Sequence, residues 1–392
     1  MKNIAIILTF AALFLISFSC SRPDAEKKYD NVMLYYISGY NNLSNNIKYN
    51  LQSLCEGSIP TKGSNNAIVL FAHFTDGKPY STPNPPCLIN LYKDQNHVVM
   101  DTLSVYPSNT VDPDPDTMRS VLLTVQKTFK SDHYGMVFSS HGSGWLPSCY
   151  YDGGTPAVAP KSVGCQFNGS SSTRYEMELT EFAGAVPFKL DYIIFDACLM
   201  GGIEVAYELK DVCDNLIISP TEIFNEGMYY GTMAASLLHE NPDYQGICKD
   251  YFDHSAYGAT ISWIDCSRLE PVATAMKNII SNHRESIAAI DASKVQRFYT
   301  GNHPWFYDMR DIAVKGGALT DELEQLDEAL DGAKGGCVKY SNYTPEFGEG
   351  TSFYIHIESY CGLSMYLPKE KYRELDGPYK TLAWNKAVGL VE

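Results

Sequence analysis

Two residues with reactive side chains each lie within a few positions of the end of an apolar run. Cys198 ends the run Ile194-Phe195-Asp196-Ala197-Cys198, and His141 follows Phe138-Ser139-Ser140. A cysteine attacks a carbonyl carbon as its thiolate, and an imidazole near neutral pH can favour that thiolate and then protonate a departing amine. The sequence therefore predicts acyl-transfer chemistry, with Cys198 as nucleophile and His141 as its catalytic partner.

The residues around this pair fit the same chemistry. Gly142 has no side chain, so its backbone N–H can approach a substrate carbonyl closely, and we expect the amides of Gly142 and Cys198 to form the oxyanion hole. A helix is predicted to open at about Gly201. Its positive N-terminal end would lie near Cys198 and lower the pKa of the thiol.

Short apolar runs and longer helical patterns alternate along the first two thirds of the chain. Such alternation predicts an α/β sheet with helices on its faces, and strands that are apolar nearly throughout are buried on both sides. The predicted strands are Val32–Ser38, Ala67–Phe74, Tyr134–Ser140, Asp191–Phe195 and Asn215–Ser219, and the predicted helices include Thr117–Phe129, Leu179–Ala185, Gly201–Leu209 and Arg268–Ile290. Ligands of open α/β sheets bind at the carboxyl ends of the strands, where His141 and Cys198 would meet.

Changes in composition divide the chain. Residues 148–172 are rich in Gly, Ser and Pro and are predicted to form an exposed loop. From about Cys266 the pattern changes to a long helix followed by mixed elements. We therefore predict a catalytic core over residues 31–265 and a C-terminal α+β subdomain over residues 266–392.

The N-terminus has the layout of a bacterial export signal. Lys2 precedes an apolar run from Ile4 to Phe18, which is too short to be a convincing membrane span. The small Ser19 before Cys20, with polar residues after it, resembles a lipoprotein box in which the cysteine is acylated. We expect a signal peptide over residues 1–19, a lipid anchor at Cys20, a linker over residues 20–30, and a membrane-anchored protein facing the periplasm or the cell surface.

Charge and cysteine spacing argue against nucleic-acid binding, a disulfide framework and a metal site. The net charge of −16 disfavours nucleic acid and anionic lipid as partners and is compatible with cationic substrates. The eleven cysteines are scattered without a CxxC pair, so they give no disulfide framework. No two histidines stand at ligand spacing with a cysteine pair, so no metal site is predicted.

The motifs together resemble a known family. A strand ending in His-Gly, followed 57 residues after the histidine by one ending in Asp-Ala-Cys, resembles the caspase-like cysteine peptidases, and the longer motifs are similar to the clostripain family. Those motifs are His-Gly-Ser-Gly-Trp at 141–145, Asp-Ala-Cys-Leu-Met-Gly at 196–201, Asn-Asn-Leu at 41–43, Tyr-Asp-Met-Arg-Asp at 307–311, and Gly-Leu-Ser-Met-Tyr-Leu-Pro at 362–368. The resemblance implies a caspase-like, mostly parallel sheet flanked by helices.

The resemblance also implies roles for further residues. Asp196, two residues before the nucleophile, would line the S1 pocket and select substrates with Arg or Lys at P1, and Glu222 or Glu226 could add negative charge there. Family members are often matured by a cut between the two catalytic residues, for which Lys161 is the favoured site. The resemblance permits calcium dependence, although no cofactor is expected to be required. We expect protein or peptide substrates and a monomeric enzyme.

One segment departs from the family pattern. The family shows Pro, Gly and a Trp near a Tyr after the strand that ends at Ser219, whereas this chain has Phe224–Tyr230 with Met228 at the expected Trp position. Subsite preferences are therefore open. The alternative function is a catalytically silent lipoprotein that binds basic peptides or a partner protein. A serine hydrolase is disfavoured because there is no Gly-x-Ser-x-Gly turn between a strand and a helix.

Overall fold

The computed structural model describes residues 27–75, 83–148, 150, 163–170, 173–299 and 305–392. The predicted signal peptide, the anchor Cys20, the linker up to residue 26 and the processing site Lys161 lie outside these ranges. In the described part of the chain, no helix combines the length and apolar character needed to cross a membrane.

A nine-stranded sheet forms the centre of the molecule. Its strands are β1 (Asn31–Gly39), β2 (Asn66–Phe74), β3 (Cys87–Asp94), β4 (His97–Val105), β5 (Tyr134–Ser139), β8 (Leu190–Asp196), β9 (Cys213–Ile218), β10 (Thr260–Asp265) and β12 (Val338–Tyr343). Short two-stranded sheets are formed by β6 (Val163–Ser170) with β7 (Thr173–Met177), β11 (Tyr307–Asp308) with β15 (Ser364–Met365), and β13 (Glu346–Phe347) with β14 (Ile355–His356).

The strand order is β12-β10-β9-β8-β5-β1-β2-β3-β4. The five central strands, from β9 to β2, are parallel, and antiparallel pairs extend both edges. The predicted mostly parallel α/β sheet is thus confirmed. Because the parallel strands all run the same way, their carboxyl ends share one edge, which is where the candidate site lies.

Helices cover both faces of the sheet. They are α1 (Ser44–Glu56), α2 (Pro115–Thr128), α3 (Leu179–Ala185), α4 (Ile203–Leu209), α5 (Met233–Leu237), α6 (Tyr244–His254), α7 (Leu269–Ala289), α8 (Met309–Lys315), α9 (Thr320–Leu330), α10 (Asp376–Thr381) and α11 (Ala383–Val388). One hydrophobic cluster contains side chains of α2, α3, α4 and α7, and the other contains side chains of α1, α5 and α6.

The packing of β1 on both faces shows why the central strands are apolar throughout. Val32, Leu34 and Tyr36 belong to the first cluster, whereas the intervening Met33 and Tyr35 belong to the second. Alternate side chains of a strand point to opposite faces, so a strand with helices on both sides buries every residue. The same rule accounts for the other central strands, whose predicted positions agree with the structure to within two residues.

The prediction of an exposed loop over residues 148–172 is wrong for its last part. Residues 163–170 form β6, and Val163, Cys165 and Phe167 are buried. These three alternate in the sequence, which is the period of a strand. The glycines and serines of the segment hid that period, because they give the composition of a loop.

The C-terminal part is joined closely to the central sheet. β12 pairs with β10 in antiparallel fashion, and one hydrophobic cluster contains side chains from both sides of residue 265. The backbone N–H of Ser364 also donates to the carbonyl oxygen of Gly201 at 2.9 Å. A division into separable units at residues 265/266 stays a prediction.

Candidate active site

Strand register brings His141 and Cys198 to neighbouring positions. β5 and β8 pair in parallel with Ser139 opposite Asp196, and each reactive residue lies two positions beyond its member of that pair. Neighbouring strands are about 4.8 Å apart. Gly142 confirms the close approach of the two chain segments, because a Cβ atom on it would lie 2.7 Å from the carbonyl oxygen of Cys198.

Cys198 lies in a tight turn between β8 and α4. Leu199 has a φ of 61°, a left-handed conformation that is uncommon for a leucine. The turn is tied to the segment after β9, because Leu199 N donates to Thr221 O at 2.9 Å and Gly201 N donates to Ser219 O at 2.8 Å. The positions of Cys198 and of residues 219–223 are therefore coupled.

The thiol of Cys198 is covered by that coupled segment. Ile223 N donates to Sγ at 3.3 Å, and the Ile223 carbonyl oxygen lies 3.5 Å from Sγ. The half-buried Glu222 carboxylate is a further acceptor for the thiol. Burial raises the pKa of Cys198 well above its ordinary value, and the charge of Glu222 raises it further. In this arrangement the group is a neutral thiol near neutral pH.

The expectation that the positive end of α4 lowers the pKa of Cys198 stays a prediction. The helix begins at Ile203 after the cap residue Gly202, and it has seven residues. Its dipole is outweighed because the thiol is desolvated and lies beside a carboxylate.

His141 is held from two directions. Its Nε2 lies 2.7 Å from Oδ1 of Asn42, in the turn after β1, and its carbonyl oxygen accepts a hydrogen bond from Gly164 N at 3.0 Å. The preceding Ser140 donates to Ser38 O at 2.7 Å and accepts from Cys165 N at 3.1 Å. The ends of β1 and β5 and the start of β6 thus share one set of hydrogen bonds at the histidine.

Gly142, a predicted oxyanion donor, sits between the two reactive residues and β6. It forms an isolated bridge with Val163, and a Cβ atom on it would also lie 2.9 Å from Sδ of Met200. Only glycine fits such close packing without displacing a neighbour. The assignment of the Gly142 and Cys198 amides to the oxyanion hole stays a prediction.

Asp196 is buried beneath the segment that follows β9. Its Oδ2 accepts from Tyr230 OH at 2.7 Å and Ser139 Oγ at 3.0 Å, and Asn50 Nδ2 lies 3.5 Å from that oxygen. Its Oδ1 accepts from Met228 N at 3.0 Å. Burial raises the pKa of Asp196, and these hydrogen bonds oppose the shift. A cationic side chain would reach Asp196 only by displacing part of this shell.

The other two predicted S1 residues lie in different settings. Glu222 contacts the thiol, whereas Glu226 is exposed. Burial raises the pKa of Tyr251 on α6, and the nearby charges of Asp196, Cys198 and Glu226 raise it further. Tyr251 is 3% exposed, and its hydroxyl has no hydrogen-bond partner among the described residues.

Aromatic side chains border the covered thiol. The Phe224 ring stacks on Phe347 with centroids 5.3 Å apart and packs against Tyr257 at 5.2 Å. Tyr299 lies close enough to Glu222 and Cys198 for their charges to act on it, although burial is the main reason that its pKa rises to about 12.

The described residues offer no cluster of three or more His, Cys, Asp or Glu side chains placed to hold a metal ion. The nine cysteines within the described ranges are free thiols. Calcium dependence stays an expectation from the family resemblance.

Asn42 and Tyr251 were missed as site residues by sequence reasoning. Asn42 lies within the Asn-Asn-Leu motif, so the motif itself was the available signal, but its contact with His141 joins residues 99 positions apart. Tyr251 is one of 28 tyrosines and carries no local signal. Its place beside the site depends on how α6 packs on the sheet.

Comparison with known proteins agrees with this geometry. A family model described as the clostripain family, Peptidase_C11, matches residues 35–388. A search of curated protein sequences returns no match.

Several solved structures share the fold. An inactive zymogen of a C11 protease from Parabacteroides distasonis is 27% identical, with a TM-score of 0.78 over 92% of this chain and 98% of that one. A secreted C11 cysteine protease from Bacteroides thetaiotaomicron is 26% identical, with a TM-score of 0.75 over 92% of this chain and 99% of that one. A structure of a secreted C11 protease from the same organism with an irreversible peptide inhibitor is 23% identical, with a TM-score of 0.76, and supports the fold alone.

Proposed function

Since the chain belongs to the clostripain family and is a cysteine peptidase, we propose that it is an endopeptidase that uses Cys198 and His141 to cleave after Arg or Lys. The observation that carries the proposal is the register of β5 and β8, which sets the two residues side by side at the carboxyl edge of the sheet. Membership in a peptidase family favours catalysis over the alternative of a silent binding lipoprotein.

The reaction follows from the chemistry of the two side chains. The Cys198 thiolate forms a bond to the scissile carbonyl carbon, and the carbonyl electron pair moves to oxygen, where the amides of Gly142 and Cys198 would stabilise it. The His141 imidazolium protonates the amine as the C–N bond breaks, which leaves a thioester. His141 then takes a proton from water, whose oxygen bonds to the thioester carbon; the C–S bond breaks, the carboxylic acid product leaves, and the Cys198 thiolate and the His141 imidazolium are restored.

Preference for a basic P1 residue is supported by the negative charge near the nucleophile. Asp196 lies two residues before Cys198, and Glu222 and Glu226 follow on the covering segment. A guanidinium that reached Asp196 would gain charge-assisted hydrogen bonds in a site shielded from water. Because protein donors now surround Asp196, binding requires the segment around Met228 to move.

Maturation by a cut after Lys161 is supported by the position of the following strand. Val163 begins β6 only two residues later, and Gly164 bonds to His141. A cut there would release the start of a strand that contacts the catalytic histidine. One solved relative is an inactive zymogen, and the covered thiol of this chain suits a precursor. A Lys161→Ala variant should stay intact by mass spectrometry; full activity in uncut enzyme would refute a need for this cut.

Export and lipid attachment at Cys20 are part of the proposal. One relative is described as secreted, and the N-terminal pattern supports the same route here. A Cys20→Ala variant should move from the membrane fraction to the soluble fraction. A wild-type protein that lacked an N-terminal lipid by mass spectrometry would refute the anchor.

The function is tested with fluorogenic peptides. The matured protein should hydrolyse amides after Arg and Lys, and Cys198→Ala should abolish the activity while melting at the same temperature within a few degrees. Hydrolysis that survived this substitution would exclude Cys198 as the nucleophile.

A further inference from the structure

The turn after β1 contains two successive asparagines with different contacts. Asn41 is fully buried, and its Nδ2 donates to Ser38 O at 2.9 Å and to Cys165 O at 2.8 Å. Its Oδ1 accepts from Leu43 N at 2.8 Å. Asn41 therefore fixes the shape of the turn, and this fixed turn carries the exposed Asn42 to His141.

We propose that Asn42 is a positioning residue for His141, an inference that rests on the proposed function. Its Oδ1 lies 2.7 Å from Nε2 and accepts the Nε2–H of the imidazole. This bond fixes the ring orientation and keeps one proton on Nε2. The nitrogen that exchanges a proton with Cys198 is then Nδ1.

The same contact favours the charged form of the histidine during catalysis. An amide oxygen accepts a stronger hydrogen bond from an imidazolium than from a neutral imidazole. When the thiolate forms, His141 carries the positive charge, so Asn42 stabilises the reactive ion pair as well as the ring position.

The backbone around the contact is suited to positioning. Gly164 N bonds to the His141 carbonyl and Cys165 N bonds to Ser140, so β6 fixes the main chain while Asn42 holds the ring. This rigidity matters because a hydrogen bond can orient the imidazole ring only if the acceptor atom is itself held in place.

The test compares Asn42→Ala and Asn42→Asp with the wild-type peptidase. Asn42→Ala should lower kcat/KM about tenfold, the rate equivalent of one neutral hydrogen bond, with the loss mainly in kcat. The alkaline limb of its pH profile, where activity falls as the pH rises, should move to lower pH, because the imidazolium is less stabilised. Asn42→Asp should keep most activity and shift that alkaline limb to higher pH, because a carboxylate stabilises the imidazolium more strongly.

The other titratable groups are the same in every variant. Cys198 and Glu222, the carboxylate that contacts its thiol, are unchanged, so a moved alkaline limb reports on Asn42. The control is Asn96→Ala, an exposed asparagine in the turn between β3 and β4 at the opposite end of the sheet, which should leave the rate and the profile unchanged.

A second readout is independent of peptidase activity. The ¹⁵N spectrum of histidine-labelled protein, assigned with His141→Ala, should place the neutral-form proton on Nε2 in the wild type and show a tautomer mixture in Asn42→Ala. An unchanged pH profile together with an unchanged tautomer would overturn the inference. If the wild type hydrolyses no substrate, the proposed function fails, and the spectrum alone then decides the role of Asn42.

Discussion

At the scale of single residues, the reactivity of Cys198 depends on the groups that cover it. Ile223 contacts the sulfur through its backbone, and Glu222 adds a negative charge beside it. The Glu222 charge adds to burial in favouring the neutral thiol, whereas the Ile223 N–H donor favours the thiolate. Cys198, the predicted nucleophile, is therefore kept as a neutral thiol by burial and by Glu222 in the arrangement described.

Replacing Glu222 with Gln removes that negative charge. Since the charge raises the pKa of Cys198, its removal should lower this pKa and raise the thiolate fraction at pH 7. Alkylation of Cys198 by iodoacetamide should be roughly fivefold faster, which corresponds to about 1 kcal/mol of relieved repulsion. Glu226→Gln, a change at an exposed position, should alter the rate less. Equal rates in all three proteins would show that Glu222 does not act on the thiol.

Asp196→Asn tests the specificity assignment at the same scale. The side chain keeps its size but loses its charge, so kcat/KM for Arg and Lys substrates should fall about 10- to 100-fold relative to a neutral P1 residue. Some stability should be lost, because Asn has only one acceptor oxygen, so its Nδ2 must face either Met228 N or the two hydroxyls of Tyr230 and Ser139. Substrate panels give the ratio directly. An unchanged preference for basic residues would remove Asp196 from the S1 pocket.

At the scale of elements, the distance between the ends of β5 and β8 governs the site. A Cβ atom on Gly142 would meet the Cys198 carbonyl at 2.7 Å and Ala197 Cβ at 3.1 Å. Gly142→Ala should push the two strand ends apart and lower kcat/KM about 100-fold, because small misplacements of reacting groups are costly. Gly184→Ala, in α3 with open space around it, is the matched control and should keep its activity. Similar activities in the two variants would contradict the close approach.

The central strands and their helices could be predicted from the sequence because they are buried on both faces. The runs Val32–Ile37 and Tyr192–Phe195 are apolar without interruption, and each is followed by a distinct polar motif. The edge strands could not be predicted in this way. In β4 the apolar Val98 and Met100 are exposed whereas Asp101 is buried, so residue type does not follow burial there.

The candidate site was predictable only where its residues lie in local motifs. His141, Cys198 and Asp196 come at strand ends, so position along the chain was sufficient to suggest them. Two other contacts, between Ile223 and the thiol and between Asn42 and the imidazole, join residues far apart in sequence. Such contacts depend on side-chain directions in turns, which hydrophobic patterning does not determine.

At the scale of the whole molecule, the C-terminal part completes the sheet and supports the site. β12 covers the edge of β10, and Tyr366 N and Tyr379 OH each donate to the buried Glu204 of α4 at 2.8 Å. The helix that follows the nucleophile is thus fastened to residues beyond 360. Whether the chain divides into two units at residues 265/266 can therefore be measured, by asking if the first part folds without the second.

A fragment of residues 27–265 should not fold to a stable unit. It would expose the edge of β10 and the large apolar surface that the C-terminal part now covers. Circular dichroism and limited proteolysis should show lost cooperativity, whereas residues 27–392 should unfold in a single transition. A soluble fragment with a cooperative transition would support two independent domains instead.

The central claim, that Cys198 is the nucleophile of a peptidase selective for basic residues, is tested most directly by covalent labelling. The matured protein is treated with an irreversible peptide inhibitor carrying Lys at P1 and is then analysed by intact mass and peptide mapping. We predict one adduct per chain, located on Cys198, and none in Cys198→Ala. Labelling of another cysteine, or equal labelling by an inhibitor with an acidic P1 residue, would contradict the claim.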